Sequence, residues 1–265
     1  MMYLEYLSIF FIVSLLVCLV GFYKSAYFLS LGYGFSVTGI GVCMAMLCLA
    51  KQFHATVTHY IFFGLFVVYG LRLAGFLFLR ETENATYKKV LSETGRNANK
   101  MSLLGKVGLW IFAAALYVAQ TSPVFFQIYN GGIQTTSTWF GVILSAIGLV
   151  LETVADLQKS AQKKENPDMV ATKGLYGLVR CPNYFGEILF WTGVFVSSLV
   201  ALSGVGQWVI ALAGYLCILF VMVNATQRLD KRQMEQYGAN EEYKKYVKTT
   251  PILFPFIPLY HLNKR

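Results

Sequence analysis

The stretch TWFGVILSAIGLVLETVADLQKSAQK, residues 138–163, decides the fold class. It opens on an apolar run that reads as a membrane span over roughly 138–157, and then passes without Gly or Pro into a polar helix. A spanning helix needs ~20 predominantly apolar residues. Glu152 and Asp156 nevertheless sit within or at the edge of this run, four residues apart and so on one helical face. Lys159 and Lys163 continue that face at +7 and +11. An ionised side chain at mid-membrane costs at least ~2.5–3.5 kcal/mol on insertion scales, so carboxylates here need a reason.

Further apolar runs lie on both sides of this one. The chain reads as seven spans, at roughly 3–23, 27–50, 55–79, 106–127, 138–157, 183–203 and 205–225. Composition agrees. Of 265 residues, 56% are hydrophobic and only 13% charged, against roughly 45–50% and ~25% in ordinary globular chains. The expectation is an all-α integral membrane protein, a seven-transmembrane helical bundle forming a single domain over 1–265, with no separate soluble domain. No strand alternation, internal repeat or low-complexity tract is visible. Tyr3, Tyr23, Tyr27, Tyr60 and Trp139 fall near span ends, as interfacial aromatics do. The opening Met-Met-Tyr-Leu-Glu lacks a basic n-region, so no cleaved signal peptide is expected.

The net charge of +9 is a matter of orientation. Nineteen of the 22 Lys and Arg fall in the segments 80–106, 158–182 and 226–265. Lys24 and Lys51 belong to the other side, and Arg72 lies within a span. The positive-inside rule then places the N-terminus outside and the C-terminus in the cytoplasm. Every elaborate polar segment falls on the cytoplasmic face, where a basic vestibule suits an anionic cofactor. Cys18, Cys43, Cys48, Cys181 and Cys217 form no C-x-x-C pair, and neither a disulfide framework nor a zinc site is expected.

Residues 173–187 read KGLYGLVRCPNYFGE. Gly174 and Gly177 permit a tight loop, and Pro182 suits the first position of a helix. Asn183 and Tyr184 then lie in the first turn, beside the basic Arg180, with Glu187 one turn deeper. A turn followed by a capped span explains Pro182 and Asn183 but leaves Glu187 unexplained. Residues 227–237, QRLDKRQMEQY, place Arg228, Arg232 and Gln236 on one helical face. A stop-transfer cluster accounts for those basic residues equally well. The tail carries Tyr243 and Tyr246, and then the apolar PILFPFIP, which suits either a fold-back over a site or the membrane surface. For Glu152 and Asp156 two readings stand side by side: ion pairs with Lys159 or Arg180 that tie helices together, or cofactor ligands.

In this order the pieces resemble the steroid 5α-reductase family, in particular its compact bacterial branch of DUF1295-like integral membrane proteins. The matching elements are E-x-x-x-D-x-x-K-x-x-x-K at 152–163, G-L-Y-x-x-x-R-x-P-N-Y-F-G-E at 174–187, the basic helix with Y-x-x-Y and F-P-F at 228–256, and V-Y-G-L-R-L-A-G-F at 68–76. The resemblance spans roughly residues 25–258 and implies a seven-helix reductase carrying NADPH in a cytoplasm-facing cavity. It implies cofactor contacts from Glu152, Asp156, Lys163, Arg180, Asn183, Tyr184, Glu187, Arg228, Arg232 and Tyr246. It also implies that Tyr69 faces a substrate carbonyl. A glutamate in the first third normally partners that tyrosine. No acidic residue lies between Glu5 and Glu81, so Gln52, His54 or Tyr33 stands in for it.

The implied reaction is NADPH-dependent reduction of a conjugated C=C bond in a lipophilic substrate such as a 3-oxo-Δ4-steroid. The expected partners are that small molecule and membrane lipid, not nucleic acid, for a monomer in a bacterial inner membrane or the endoplasmic reticulum. An alternative resemblance is to S-adenosylmethionine-dependent membrane methyltransferases of the isoprenylcysteine or phospholipid type, which share an R-H-P-x-Y-x-G box. Here the His position is Cys181, and the continuation N-Y-F-G-E favours the reductase.

Overall fold

A computed structural model describes residues 2–83 and 101–262. Most of the basic segment read at 80–106, including Lys88, Lys89, Arg96 and Lys100, lies outside the described residues. Among those described there are ten α-helices and no strand: α1 Tyr3–Cys18, α2 Val20–Tyr23, α3 Leu31–Leu49, α4 Val57–Glu83, α5 Leu103–Tyr129, α6 Thr136–Glu165, α7 Leu175–Leu178, α8 Pro182–Ser197, α9 Gly204–Tyr237 and α10 Glu241–Thr249, with a 3-10 turn at Ser25–Leu29. Without water to pair with, a backbone in hydrocarbon must satisfy itself, and a helix does so locally.

Six of the seven expected spans are helices long and apolar enough to cross a membrane: Tyr3–Tyr23, Leu31–Leu49, Val57–Leu79, Leu103–Tyr129, Thr136–Glu165 and Gly204–Tyr237. They mark an integral membrane protein. The run read at 183–203 differs. There α8 has 16 residues, or ~24 Å at ~1.5 Å per residue, short of a hydrocarbon core of ~30 Å. The hydroxyls of Ser197 and Ser198 donate back to the carbonyls of Val194 and Phe195. The chain turns there, and Gly204 starts α9 with a left-handed backbone, φ +75°.

The described chain forms two compact units, residues 1–142 with 194–215, and residues 143–193 with 216–265. In the first unit α3 and α4 cross at glycines. A Cβ on Gly34 would lie 2.5 Å from the Gly70 carbonyl oxygen, so only glycine admits this approach. The neighbours Tyr33 and Tyr69 meet there, the Tyr69 hydroxyl donating to the Tyr33 hydroxyl at 2.9 Å. The Tyr33 ring stacks on Tyr117 at 4.8 Å, and the Tyr117 hydroxyl donates to the Phe28 carbonyl. The last turns of α5 are buried from Gln120 to Ile128. Pro123 has no N–H for the Ala119 carbonyl one turn earlier, and the Ser122 hydroxyl donates to it instead. Gly214 of α9 packs on that same carbonyl, a Cβ there falling 2.5 Å from it. Uncharged polar side chains join the helix ends: Gln127 donates to Ser197, and Asn130 donates to the Ala201 carbonyl and to Gln207.

The second unit repeats the device. Where α6 and α8 cross, a Cβ on Gly148 would lie 2.5 Å from the Gly186 carbonyl, and one on Gly186 would lie 2.8 Å from that of Gly148. The Ser145 hydroxyl donates to the Phe190 carbonyl across the same contact at 2.9 Å. Farther along α6, Gln158 accepts from the Leu175 N–H, and Gln162 accepts from the N–H groups of Thr172 and Lys173. This clamps the loop onto α6. Gly174, at φ +67°, lies against Gln158, where a Cβ would be 2.5 Å from Oε1.

A methyl at either glycine crossing overpacks backbone against backbone, at a cost of about 1–3 kcal/mol. Gly186→Ala is therefore expected to lower the melting temperature in detergent. Gly64→Ala, where an added methyl meets nothing within 4 Å, is expected to leave it unchanged or raise it. Equal melting of the wild type and Gly186→Ala would refute the close crossing.

Candidate functional site

The second unit carries the charged residues that the membrane should exclude. Glu152, Asp156 and Glu187 are all buried, at 2%, 8% and 8% exposure. The α6–α8 crossing accounts for their proximity. The Glu152 side chain lies against Gly186, whose Cβ would be 2.9 Å from Glu152 Cγ, and Glu187 is the next residue of α8. Asn183 and Tyr184 are half-buried in the first turn of α8, which starts at Pro182 as expected. The polar stripe of α6 and the N-x-x-G-E box therefore belong to one helix pair.

Arg180 has a different place from the one the sequence implies. It is buried, and Nη1 pairs with Asp230 Oδ1 of α9 at 2.8 Å. Its Nη2 donates to the Tyr260 carbonyl. Its backbone N–H donates to the Pro251 carbonyl, and that of Cys181 donates to the Ile252 carbonyl. His261 Nδ1 stands 3.8 Å from the other Asp230 oxygen. Arg180 thus holds the C-terminal segment 250–261 against the start of α8, and the guanidinium is committed to Asp230 rather than offered as an open phosphate ligand. Removing one partner of such a buried pair leaves an uncompensated charge and costs about 3–5 kcal/mol.

Lys163 is likewise engaged. Its Nζ donates to the Tyr237 hydroxyl at 2.9 Å and to the Pro167 carbonyl at 2.8 Å, and lies 5.0 Å from the Tyr237 ring centroid. Arg228 and Arg232 are exposed, whereas Thr226, Asp230 and Tyr237 are buried. At 100° per residue the basic stripe lies on the opposite face of α9 from Asp230. Tyr246 donates to the Tyr176 carbonyl at 2.7 Å and packs on the cluster of Val170, Tyr237, Tyr243 and Val247.

In the first unit, Tyr33 is the residue that meets Tyr69. Gln52 and His54, the other two candidates, are exposed in the turn between α3 and α4. Tyr69 lies twelve residues into α4, about 18 Å along its axis at ~1.5 Å per residue. The hydroxyl that meets Tyr69 is therefore that of Tyr33, not a group of Gln52 or His54.

Asp230 as a buried partner of Arg180 is absent from the sequence reading, and Tyr176 and Tyr243, though they fall within the quoted motifs, have no place in the site there. Asp230 is the one acidic residue in RLDKR, two positions from each arginine and so on the opposite face, a signal that periodicity alone supplies. The tyrosines are marked only as motif positions, with nothing in the sequence to show their burial. Tyr176 and Tyr243 are 4% and 0% exposed. Burial, with the Asp156 carboxylate adding to it, pushes the Tyr176 hydroxyl well above its usual range. Burial pushes Cys181 up to about 12, against the opposing pull of Lys159 and Arg180. Tyr243 is also pushed up to about 12 by burial, with Arg180 drawing it down.

Among the described residues the Tyr176 hydroxyl is buried and completes no hydrogen bond, whereas the Tyr243 hydroxyl and the Arg180 guanidinium lie beside one another. The buried carboxylates suit hydroxyl and amide donors such as those of an NADPH-type group. With Arg180 and Lys163 engaged within the protein, Arg228 and Arg232 are exposed cations of this unit that such a group's phosphates would have to meet. Two open clefts also mark this unit. One, of about 440 Å³, is lined by Gln162, Met169, Thr172, Lys173, Lys245 and Tyr246 among others; the second, of about 270 Å³, lies at the 255–258 loop. Of the expected cofactor residues, Tyr246 alone lines either cleft.

The family model described as "Protein of unknown function (DUF1295)" matches residues 34–250. No curated protein and no solved structure matches the chain.

The buried acids make stability depend on alkaline pH. Cys181 rises from an ordinary 9 to about 12 and Tyr243 from 10 to about 12. Above pH 9 the unfolded chain releases protons that the folded chain keeps, so stability is full below about pH 9 and falls as pH rises toward 12. Melting temperature measured from pH 7 to 11 is expected to drop above pH 9, and to drop less in Cys181→Ala with Tyr243→Phe. At pH 8 the Cys181 peptide is expected to resist maleimide in the folded protein and to react after denaturation.

Proposed function

This chain belongs to the DUF1295 family, which is related to steroid 5α-reductase-like membrane proteins. On that premise we propose an NADPH-dependent membrane reductase that saturates a conjugated carbon–carbon double bond in a lipophilic substrate such as a 3-oxo-Δ4-steroid. The observation that carries this reading is the burial of Glu152, Asp156 and Glu187 on one helix pair. Three carboxylates are costly in an apolar bundle unless polar groups meet them, and the hydroxyl and amide donors of a bound ligand suit that role. In this reading α8 together with the turns that follow it, to residue 203, completes a seventh crossing, the N-terminus lies outside, and the basic ends of α6 and α9 face the cytoplasm.

NADPH, when bound, supplies the hydride. Glu187 and Asn183 would accept and donate hydrogen bonds to its ribose or carboxamide groups, Glu152 and Asp156 would extend that polar wall, and Arg228 and Arg232 would meet phosphate. Tyr69 is the proposed donor to the carbonyl oxygen of an enone, where charge gathers during the reaction. A donor held ready in a dry site contributes about 2.7–4 kcal/mol to such a step. Tyr33 holds that hydroxyl by a hydrogen bond, and a hydroxyl pair can reverse which member donates.

Purified protein in detergent is expected to bind NADPH saturably, more tightly than NADH, because the 2′-phosphate adds charge for Arg to meet. Binding of S-adenosylmethionine without NADPH would establish the methyltransferase reading instead, and equal turnover with both nicotinamide cofactors would refute the role given to the basic stripe.

Glu187→Gln keeps the shape and one acceptor but loses the charge. A charge-assisted hydrogen bond contributes roughly 1.5–3 kcal/mol against ~1 for a neutral one. The variant is expected to fold, and to lose about tenfold or more in NADPH affinity at ~1.4 kcal/mol per decade. Unchanged affinity with a lower melting temperature would assign Glu187 to helix packing.

A further inference from the structure

The C-terminal segment ends in a loop that neither the cofactor residues nor the fold accounts for. Phe256 has a left-handed backbone, φ +67°, a conformation that L side chains disfavour. It also exposes 95% of its surface, and Ile257 beside it exposes 52%. The loop is held rather than frayed. At its base Ile252 N–H donates to the Leu259 carbonyl, and the Ile252 carbonyl accepts from Cys181 N–H. Arg180 donates to the Tyr260 carbonyl. Pro255 and Pro258 restrict the two sides. The surrounding structure therefore holds a large apolar side chain out at the tip in a disfavoured backbone conformation. Leu178 of α7, 59% exposed, lines the same shallow cleft of about 270 Å³.

The geometry points to this tip as an interfacial anchor that inserts into the headgroup–acyl boundary of the bilayer that the helices cross. Depth supports that occupant. The base of the loop is bonded to Cys181, the residue before α8, and Phe254 meets Phe185 of the first turn of α8 edge-on at 6.1 Å. From there α8 runs into ILFW at 188–191, so the loop sits at the level where an apolar helix begins. Charge supports it as well. Lys245 and Lys248 are exposed on α10, the helix whose last turn carries Thr249, which lines the same cleft. Basic residues flanking an apolar tip match anionic headgroups over an acyl region. Seated there, the loop fixes the segment that carries the Tyr260 carbonyl to Arg180, and so couples the buried Arg180–Asp230 pair to the membrane surface.

The test uses the full chain with the photo-crosslinker p-benzoylphenylalanine in place of Phe256, reconstituted in nanodiscs of phosphatidylcholine and phosphatidylglycerol and read by intact mass after irradiation. The same probe at Leu157, 60% exposed on α6, gives the lipid-facing reference, and at Gln236, exposed near the end of α9, the water-side reference. The expected result is a one-phospholipid adduct at position 256 in yield similar to 157 and at least threefold above 236. A covalent dimer, a crosslink within the chain, or no lipid adduct while position 157 labels would each overturn the anchor.

Discussion

The structure depends on helix backbones approaching until they touch. Apolar side chains give no net drive for helix association in lipid, because the surrounding tails are as apolar as leucine; close van der Waals packing and hydrogen bonds between helices take over. Two crossings in this chain reach that limit, Gly34 on Gly70 and Gly148 on Gly186. At each, the residue next to a glycine is one with chemistry: Tyr33 and Tyr69 at the first, Glu187 at the second, with Glu152 lying against Gly186. The absent side chain is thus what brings the polar ones together. A methyl at these positions would separate the polar groups as well as the helices.

The second unit adds an electrostatic lock. Arg180 and Asp230 are fifty residues apart and both buried, and their pair draws together the start of α8, the polar extension of α9 and the C-terminal segment. A buried ion pair is weak evidence for net stability but strongly opposes loss of either partner. Its value here is positional. It holds the loop before α8 and the segment after α10 in one arrangement, with Cys181 and Tyr243 beside it. The same pairing removes Arg180 from the pool of free cations and leaves Arg228 and Arg232, on the other face of α9, as the groups open to an anion.

Polar groups in the first unit follow another rule. Gln127, Asn130, Ser197 and Gln207 form uncharged hydrogen-bonded links at helix ends, and the Ser122 hydroxyl takes the carbonyl that Pro123 leaves without an N–H. Such groups satisfy the backbone where no water reaches. Among the described residues the buried charged side chains, Glu152, Asp156, Arg180, Glu187 and Asp230, belong to the second unit, and this contrast draws attention to its carboxylates.

Much of this was legible in the sequence. Apolar runs of span length mark the helices, since hydrocarbon forces the backbone to pair within its own segment and the signal is local. The 3.6-residue period places Glu152 and Asp156 on one face, and Pro182 marks the start of α8. What only the tertiary structure decided is pairing between distant segments: Asp230 as the partner of Arg180, Tyr33 rather than Gln52 or His54 against Tyr69, and Tyr237 on Lys163. It also decided the early end of α8, where two serine hydroxyls turn the chain, and the outward face of the α9 arginines. The physical reason is common to all of these. Periodicity reports which residues share a face of one helix, but which face meets which neighbour, and at what height, depends on where small residues let the backbones touch.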